Sequence, residues 1–380
     1  MDAERRPIYL DHMASTPLDP EVRAAMLPWL DAARAGNPHS EHAAGWRAAE
    51  AIEAARGDVA ALIGARASEV VFTSGATEAN NLALLGAGRW IGRVVVSPIE
   101  HPSVLEPAAA LKDQGVALET VPVDQAGRVD LAALEGLLAQ GPALVSIMAA
   151  NNEIGTLQPL AEIGALCRAQ GALFHSDAVQ ALTTQALDVE AACIDLLSLS
   201  GHKLYGPAGV GALYVRGGTA LLPLVHGGGQ QGNLRPGTLP VALCVALGAA
   251  CRLARARRAE DAARAAALRE RLFAALRDAV PGIRRNDPEA GGLPGCLNVT
   301  LAGVDAADLL LDLSDLAIST GSACSSLSGA PSHVLRAIGL SAEAAHASLR
   351  FGLGRGTTEK EIDKAAALLI AALQDRGRPG

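Results

Sequence analysis

Short apolar runs alternate with loops and amphipathic stretches along most of this chain, the order expected of strands and helices in turn. Trp46 to Gly64 has helical apolar spacing and stops at a glycine suited to a C-terminal cap. Val70-Val71-Phe72-Thr73 reads as a strand, followed by Ser74-Gly75-Ala76-Thr77 and a helix from Glu78. Val94-Val95-Val96 is a further strand, with His101 in the loop beyond it. Leu144 to Met148 is another, running into Asn151-Asn152-Glu153. A helix from Leu160 to Gln170 ends at Gly171, and the strand Ala172 to Ser176 ends at Asp177. The run from Ile194 to Ser200 stops at Gly201-His202-Lys203, and Val210 to Val215 closes the series. Such alternation predicts an α/β fold with a mostly parallel sheet and helices on both faces.

The pattern changes near Pro240. An Ala/Arg/Leu-rich helical stretch runs to about Val280, followed by the strand Asn298 to Leu301, a helix from Asp308 to Leu313 and the strand Leu349 to Gly352. We therefore expect a large domain over residues 13–255 and a smaller α+β domain over residues 256–380, joined by residues 1–12. Their boundary falls inside the long helix, with no flexible linker.

Composition narrows the possibilities. Half of the 380 residues are hydrophobic, enough for a sizeable core, while aromatic residues make up only 3%, too few for base-stacking platforms. A net charge of −8 disfavours a nucleic-acid backbone binder. The first seven residues contain no apolar segment of signal-peptide type. The longest apolar run, near Val241 to Cys251, is broken by Arg252 and is too short to span a bilayer. A cytoplasmic enzyme that binds neither membrane nor nucleic acid is expected. Cysteines at 167, 193, 244, 251, 296 and 324 show no zinc or C-x-x-C redox spacing, so reduced thiols and no metal site are expected.

In open α/β sheets, ligands bind beyond the carboxyl ends of the strands. Thr77, His101, Asn152, Asp177 and the stretch Ser200 to Lys203 all fall at such ends. A lysine and a carboxylate ending successive buried strands suit pyridoxal phosphate: the lysine forms an imine with the aldehyde, and the carboxylate keeps the pyridine nitrogen protonated. An ordinary Asp–Lys ion pair is the plainer reading of the two alone. Backbone N–H groups of Gly75-Ala76-Thr77, with the Thr77 hydroxyl, can hold a phosphate at a helix start, although an ordinary N-cap explains Thr77 equally well. Ser200 and His202 can add phosphate donors. Gln180 can reach the phenolic oxygen of the ring or be a solvated helix residue. His101 can stack on the ring or be surface polarity. His39-x-x-His42, with His101, raises a metal hydrolase, but no acid is placed as a companion ligand.

The chain resembles the cysteine desulfurases of the class V aminotransferase superfamily. The resemblance runs nearly end to end, through Tyr9-Leu10-Asp11, Gly36-Asn37-Pro38, Thr73-Ser74-Gly75-Ala76-Thr77-Glu78, Glu100-His101, Asn151-Asn152-Glu153-Ile154-Gly155, Asp177-Ala178-Val179-Gln180, Ser200-Gly201-His202-Lys203, Arg235-Pro236-Gly237-Thr238, Gly321-Ser322-Ala323-Cys324 and Arg350-Phe351. It implies fold type I of the pyridoxal-phosphate enzymes, with a seven-stranded sheet. Lys203 would carry the cofactor, Asp177 pair with the pyridine nitrogen, Gln180 with the phenolic oxygen, and His101 stack on the ring and serve as acid or base. Ala76, Thr77, Ser200 and His202 would hold the phosphate, with Thr238 of the second subunit of a homodimer. Asn152 and Arg350 would orient L-cysteine, the guanidinium forking onto its carboxylate.

Cys324 separates desulfuration from other pyridoxal chemistry. It lies in a small-residue stretch without apolar periodicity, which reads as an exposed loop. The resemblance makes it the nucleophile that takes sulfur as a persulfide and releases alanine. The persulfide would pass to an iron–sulfur scaffold or a sulfur relay protein, for cluster assembly or tRNA thiolation. Selenocysteine lyase or β-elimination chemistry is the alternative within the cofactor class, and a non-enzymatic sulfur-assembly subunit the alternative outside it. The chain departs from the family pattern at Met13, Ser15, His39, Gln231, Asn233 and residues 327–331. It also stops at Gly380 without the longer tail that housekeeping members use to dock a scaffold, so an altered partnership is expected.

Overall fold

The computed structural model describes residues 7–320 and 329–376. Its strands are β1 Ile8–Tyr9, β2 Val70–Thr73, β3 Arg93–Val96, β4 Ala117–Thr120, β5 Leu144–Ser146, β6 Leu173–Asp177, β7 Leu196–Ser200, β8 Gly211–Val215, β9 Arg284–Arg285, β10 Cys296–Thr300, β11 Leu316–Ala317, β12 Ser319–Thr320 and β13 Ser348–Gly352. Its α-helices are α1 Pro20–Met26, α2 Ala43–Ile63, α3 Ala76–Ile91, α4 Pro102–Asp113, α5 Leu131–Leu138, α6 Leu160–Ala169, α7 Val241–Ala279, α8 Ala306–Leu311, α9 His333–Ala337, α10 Ala342–His346 and α11 Glu359–Arg376.

Seven strands form the central sheet in the order β2-β8-β7-β6-β5-β3-β4. The five from β7 to β4 pair in parallel, as the strand–helix alternation predicts. Strand β8 is antiparallel to both β7 and β2. The link from β7 to β8 holds one 3-10 turn, Gly201–Lys203, and no crossover helix, so the chain returns in the opposite direction. Two reversals leave β2 running with β7. Its carboxyl end therefore lies at the same sheet edge as those of β3, β5, β6 and β7. Gly211 makes the corner compact: a Cβ there would fall 2.8 Å from the Gly75 Cα and 2.5 Å from the Leu199 carbonyl oxygen.

Helix α3 begins at Ala76, two residues before the expected Glu78, because Gly75 is its N-cap. Helix α2 ends as its spacing predicts, with Gly64 in the left-handed conformation at φ 71°. Gln180 belongs to the turn after β6, not to a helix.

Two of the apolar clusters in the interior share α7. The first joins the central sheet to α2 and the amino-terminal half of α7, through residues such as Phe72, Val145, Phe174, Leu197 and Leu247. The second is built from β10, β13, α11 and the carboxyl-terminal half of α7, with Leu268, Leu272, Leu297, Phe351 and Leu369. Its sheet is antiparallel, in the order β12-β13-β10-β9. Strand β1 pairs in parallel with β11, which brings Ile8 and Leu10 into this second cluster. Helix α7 is 39 residues long and serves both clusters, with Ala254 in the first and Leu268 in the second.

Candidate active site

A cavity of about 510 Å³ opens at the carboxyl edge of the central sheet. Ala76, Thr77, His101, Asn152, Asp177, Gln180, Ser200, His202, Lys203 and Arg350 all line it. Thr238 does not; it is exposed. Cys324 lies outside the described residues.

Asp177 ends β6, is nearly buried, and accepts from Asn80 Nδ2 at 2.7 Å and from the Val179 N–H at 3.0 Å. Lys203 follows β7 in the 3-10 turn, and its Nζ donates to the Met13 carbonyl. The same carbonyl accepts from Gln180 Nε2 at 2.9 Å. Gln180 is only 9% exposed, which sets aside its reading as a solvated residue. His202 Nδ1 lies 3.2 Å from Ser15 Oγ. Burial, with the positive charge of Lys203, lowers the His202 pKa to about 4, so its ring is neutral near pH 7.

Helix α3 presents its first turn to the cavity without a side-chain cap at Gly75. Thr77 is therefore not an N-cap. The residues Gly75, Ala76 and Thr77, with Ser200 and His202, form one polar corner of the cavity at that helix start. Amide donors left uncapped at a 16-residue helix N-terminus suit a phosphate.

His101 is not surface polarity either. It lines the cavity and caps α4: its Nδ1 accepts from the Ser103 N–H at 3.1 Å and lies 2.7 Å from Ser103 Oγ. Burial lowers its pKa; Asp177 opposes this shift, while Lys203 and His333 add to it. Neither His39 nor His42 lines the cavity, and His42 caps α2 by accepting from the Gly45 N–H at 3.2 Å. Among the described residues, no group of three His, Cys, Asp or Glu side chains is placed to hold a metal ion.

Arg350 approaches from β13 and is 2% exposed. One terminal nitrogen donates to Asp11 Oδ1 at 2.9 Å and Ser319 Oγ at 3.1 Å; the other donates to the Asn152 carbonyl at 3.0 Å. Its Nε is buried without a partner. Glu153 stands beside it and accepts from Ser332 Oγ at 2.5 Å. Burial raises the Glu153 pKa to about 7, against that hydrogen bond and the Arg350 charge.

Several lining residues were not among those picked from the sequence: Met13 through its carbonyl, Ser103, Glu153 and His333. His333 Nε2 lies 2.9 Å from the Glu100 carbonyl oxygen. Ser103 could have been found from the His-Pro-Ser start of α4; His333 carries no local signal, because α9 reaches the cavity only through tertiary packing. Gln231, which departs from the family pattern, acts elsewhere. Its amide accepts from the Phe72 N–H at 2.7 Å and donates to the Phe72 carbonyl at 2.9 Å, pairing like a strand with the edge of β2.

The sequence matches the family described as aminotransferase class-V over residues 8–365. It is 47% identical over 385 residues to the mitochondrial cysteine desulfurase of Arthroderma benhamiae, covering 99% of this chain and 75% of that protein. It is 45% identical over 374 residues to the cysteine desulfurase IscS of Rickettsia bellii, covering 97% of this chain and 91% of the relative. Among solved structures, a NifS-like protein superposes with a TM-score of 0.91 at 34% identity, over 97% of this chain and 100% of that one.

Proposed function

Because the chain belongs to the cysteine desulfurases of the class V aminotransferase family, we infer that the cavity binds pyridoxal phosphate and L-cysteine and that Cys324 receives the sulfur. The observation that carries this reading is the convergence of Lys203, Asp177, His101 and Arg350 on one cavity. The uncapped start of α3, the Asp177 carboxylate and Arg350, all on the cavity lining, suit the three polar ends of such a complex: phosphate, pyridine nitrogen and substrate carboxylate.

When bound, pyridoxal phosphate withdraws electrons from the amino-acid Cα and so labilises the bonds around it. Lys203 Nζ would be the amine that holds it covalently and would serve as the base for the Cα proton. Asp177 would hold a proton on the ring nitrogen. Gln180 would bind the phenolic oxygen, and the His101 ring would hold the cofactor ring in place. The first turn of α3, with Ala76, Thr77, Ser200 and His202, binds the phosphate, assisted by Thr238 of a second copy in a homodimer; Thr238 is exposed in the single chain. Asn152 and Arg350 orient L-cysteine. The Cys324 thiolate attacks the substrate sulfur: the new S–S bond forms as C–S breaks, the electron pair stays with Cβ, and protonation there yields alanine. The persulfide then passes to a protein acceptor, an iron–sulfur scaffold or a sulfur relay protein. Among the described residues, no helix is long and apolar enough to cross a membrane.

The test is single-turnover desulfuration. Wild-type protein loaded with pyridoxal phosphate should show its visible chromophore, release alanine and accumulate a persulfide. Cys324→Ser should keep the chromophore and lose the persulfide. Full alanine release by Cys324→Ser would sink the assignment of the sulfur acceptor, and a colourless wild type would sink the cofactor.

A further inference from the structure

We propose that Asn80 and Ser103 bridge Asp177 and His101 into one hydrogen-bonded unit, which positions both groups and keeps His101 as the Nε2–H tautomer. The positioning role rests on the pyridoxal reading above; the bridge itself does not.

Asn80 lies on α3, one turn after the residues at the phosphate corner, and is completely buried. Its Nδ2 stands 2.7 Å from Asp177 Oδ2 and 2.8 Å from Ser103 Oγ. Only the amino edge of an amide can face an ionised carboxylate at that separation, so the orientation of Asn80 follows from chemistry. Both Nδ2 protons are then committed, one to each partner. The Asn80 Oδ1 is buried without a partner, so the side chain is held by its two donations alone.

Ser103 Oγ, having accepted from Asn80, has one proton to give, and His101 Nδ1 lies 2.7 Å away. The same Nδ1 accepts the Ser103 backbone N–H at 3.1 Å. A ring nitrogen that accepts from an amide N–H carries no proton, so a neutral His101 bears its hydrogen on Nε2. Protonating Nδ1 would set it against that N–H and turn the Ser103 hydroxyl away. Among the described residues, the charged and titratable groups facing His101 include Asp177 from β6, Lys203 from the turn after β7 and His333 from α9, with buried Glu100 preceding it in the chain. His101 is thereby a fixed donor at Nε2 rather than a ready base.

The bridge also links distances. Helix α3 carries the phosphate corner at its first turn and Asn80 at the next, and Asn80 is bonded to the carboxylate assigned to the ring nitrogen. One helical turn therefore relates the two ends of the site, and Asn80 and Ser103 are positioning residues.

Nitrogen-15 NMR of the apoprotein with labelled imidazole rings tests the bridge directly. His101 should show an unprotonated Nδ1 near neutral pH, and Ser103→Ala should raise its titration midpoint by about half to one pH unit, the equivalent of one lost neutral hydrogen bond. Asn80→Ala, with its fold verified by circular dichroism, should weaken pyridoxal phosphate retention about tenfold, since it strips Asp177 of a buried donor. A protonated Nδ1, or a midpoint unmoved in Ser103→Ala, would overturn the proposal even if Asn80→Ala failed to fold. Cofactor retention unchanged in folded Asn80→Ala would remove the positioning role. A wild-type protein that binds no pyridoxal phosphate would instead fell the reading on which that role rests, leaving the apoprotein tautomer to be judged alone.

Discussion

The two walls of the cavity are built in different ways. On the sheet-edge wall, the polar groups sit at or just past the ends of strands, and several are shaped by neighbours close in sequence. His101 bonds Ser103, Asp177 bonds the Val179 N–H, and Asn151 Oδ1 accepts from the Glu153 N–H at 2.8 Å to shape the turn that presents Asn152. On the opposite wall, Arg350 sits in the middle of β13. Ser319, its cross-strand neighbour, and Asp11, from just after β1, hold it. The first wall takes its frame from strand ends and local turns, with Asn80 and Met13 adding remote bonds to Asp177, Gln180 and Lys203, whereas the second forms only when the chain's beginning and end meet. One site thus combines a preformed cup with an arginine whose placement depends on remote packing.

The largest expected effect tests the sheet-edge wall. Lys203→Ala should give protein without the visible chromophore and lower cysteine turnover by about a thousandfold or more, measured by alanine release. A smaller loss would mean that the cup does not depend on its lysine. Arg350→Lys tests the other wall. It keeps the charge but loses the fork, so KM for cysteine should rise about a hundredfold while the chromophore persists. If cofactor binding collapsed as well, the two walls would not be separable.

A third prediction concerns stability against pH. Burial raises the Glu100 pKa from 4.5 to about 8, and its Oε2 has no partner. The folded protein therefore holds this proton more tightly than the unfolded chain does. The resulting stabilisation is present in full below pH 4.5 and is lost as pH rises through about 8. Thermal melts of Glu100→Gln should lose less stability over that interval than the wild type, while below it the two should run in parallel. The smallest effect lies outside both walls. Gln231→Ala should cost about 1 kcal/mol in denaturant unfolding, because it removes the amide pair on the β2 edge. Turnover should not change.

What could be read in the chain follows the same division. Strand ends are legible because an apolar run that stops at a polar residue is a local signal, and Asp177, Lys203 and Asn152 all carry it. Arg350 reads as a site residue only through resemblance, since nothing nearby marks it. Asp11 and Ser319 could not be paired with it in advance, because the contacts join residues more than three hundred positions apart and neighbouring strands of a small sheet. The sequence pattern puts the start of α3 two residues late because Glu78 looks like an ordinary first-turn acid; it accepts from the Ser74 N–H at 2.7 Å and pairs with Arg235. The departure at Gln231 has its cause in the sheet edge. Nothing in the structure accounts for the change at His39.

Helix α7 has one more consequence. At a rise of about 1.5 Å per residue it is a rod about 58 Å long, and the cores behind the two walls are moulded onto successive lengths of it. The gauge of the cleft is thus borrowed from a member that lends no side chain to its lining. Drift among the lining side chains can change what the cleft grips, while its span is kept by the repeat of an unbroken backbone.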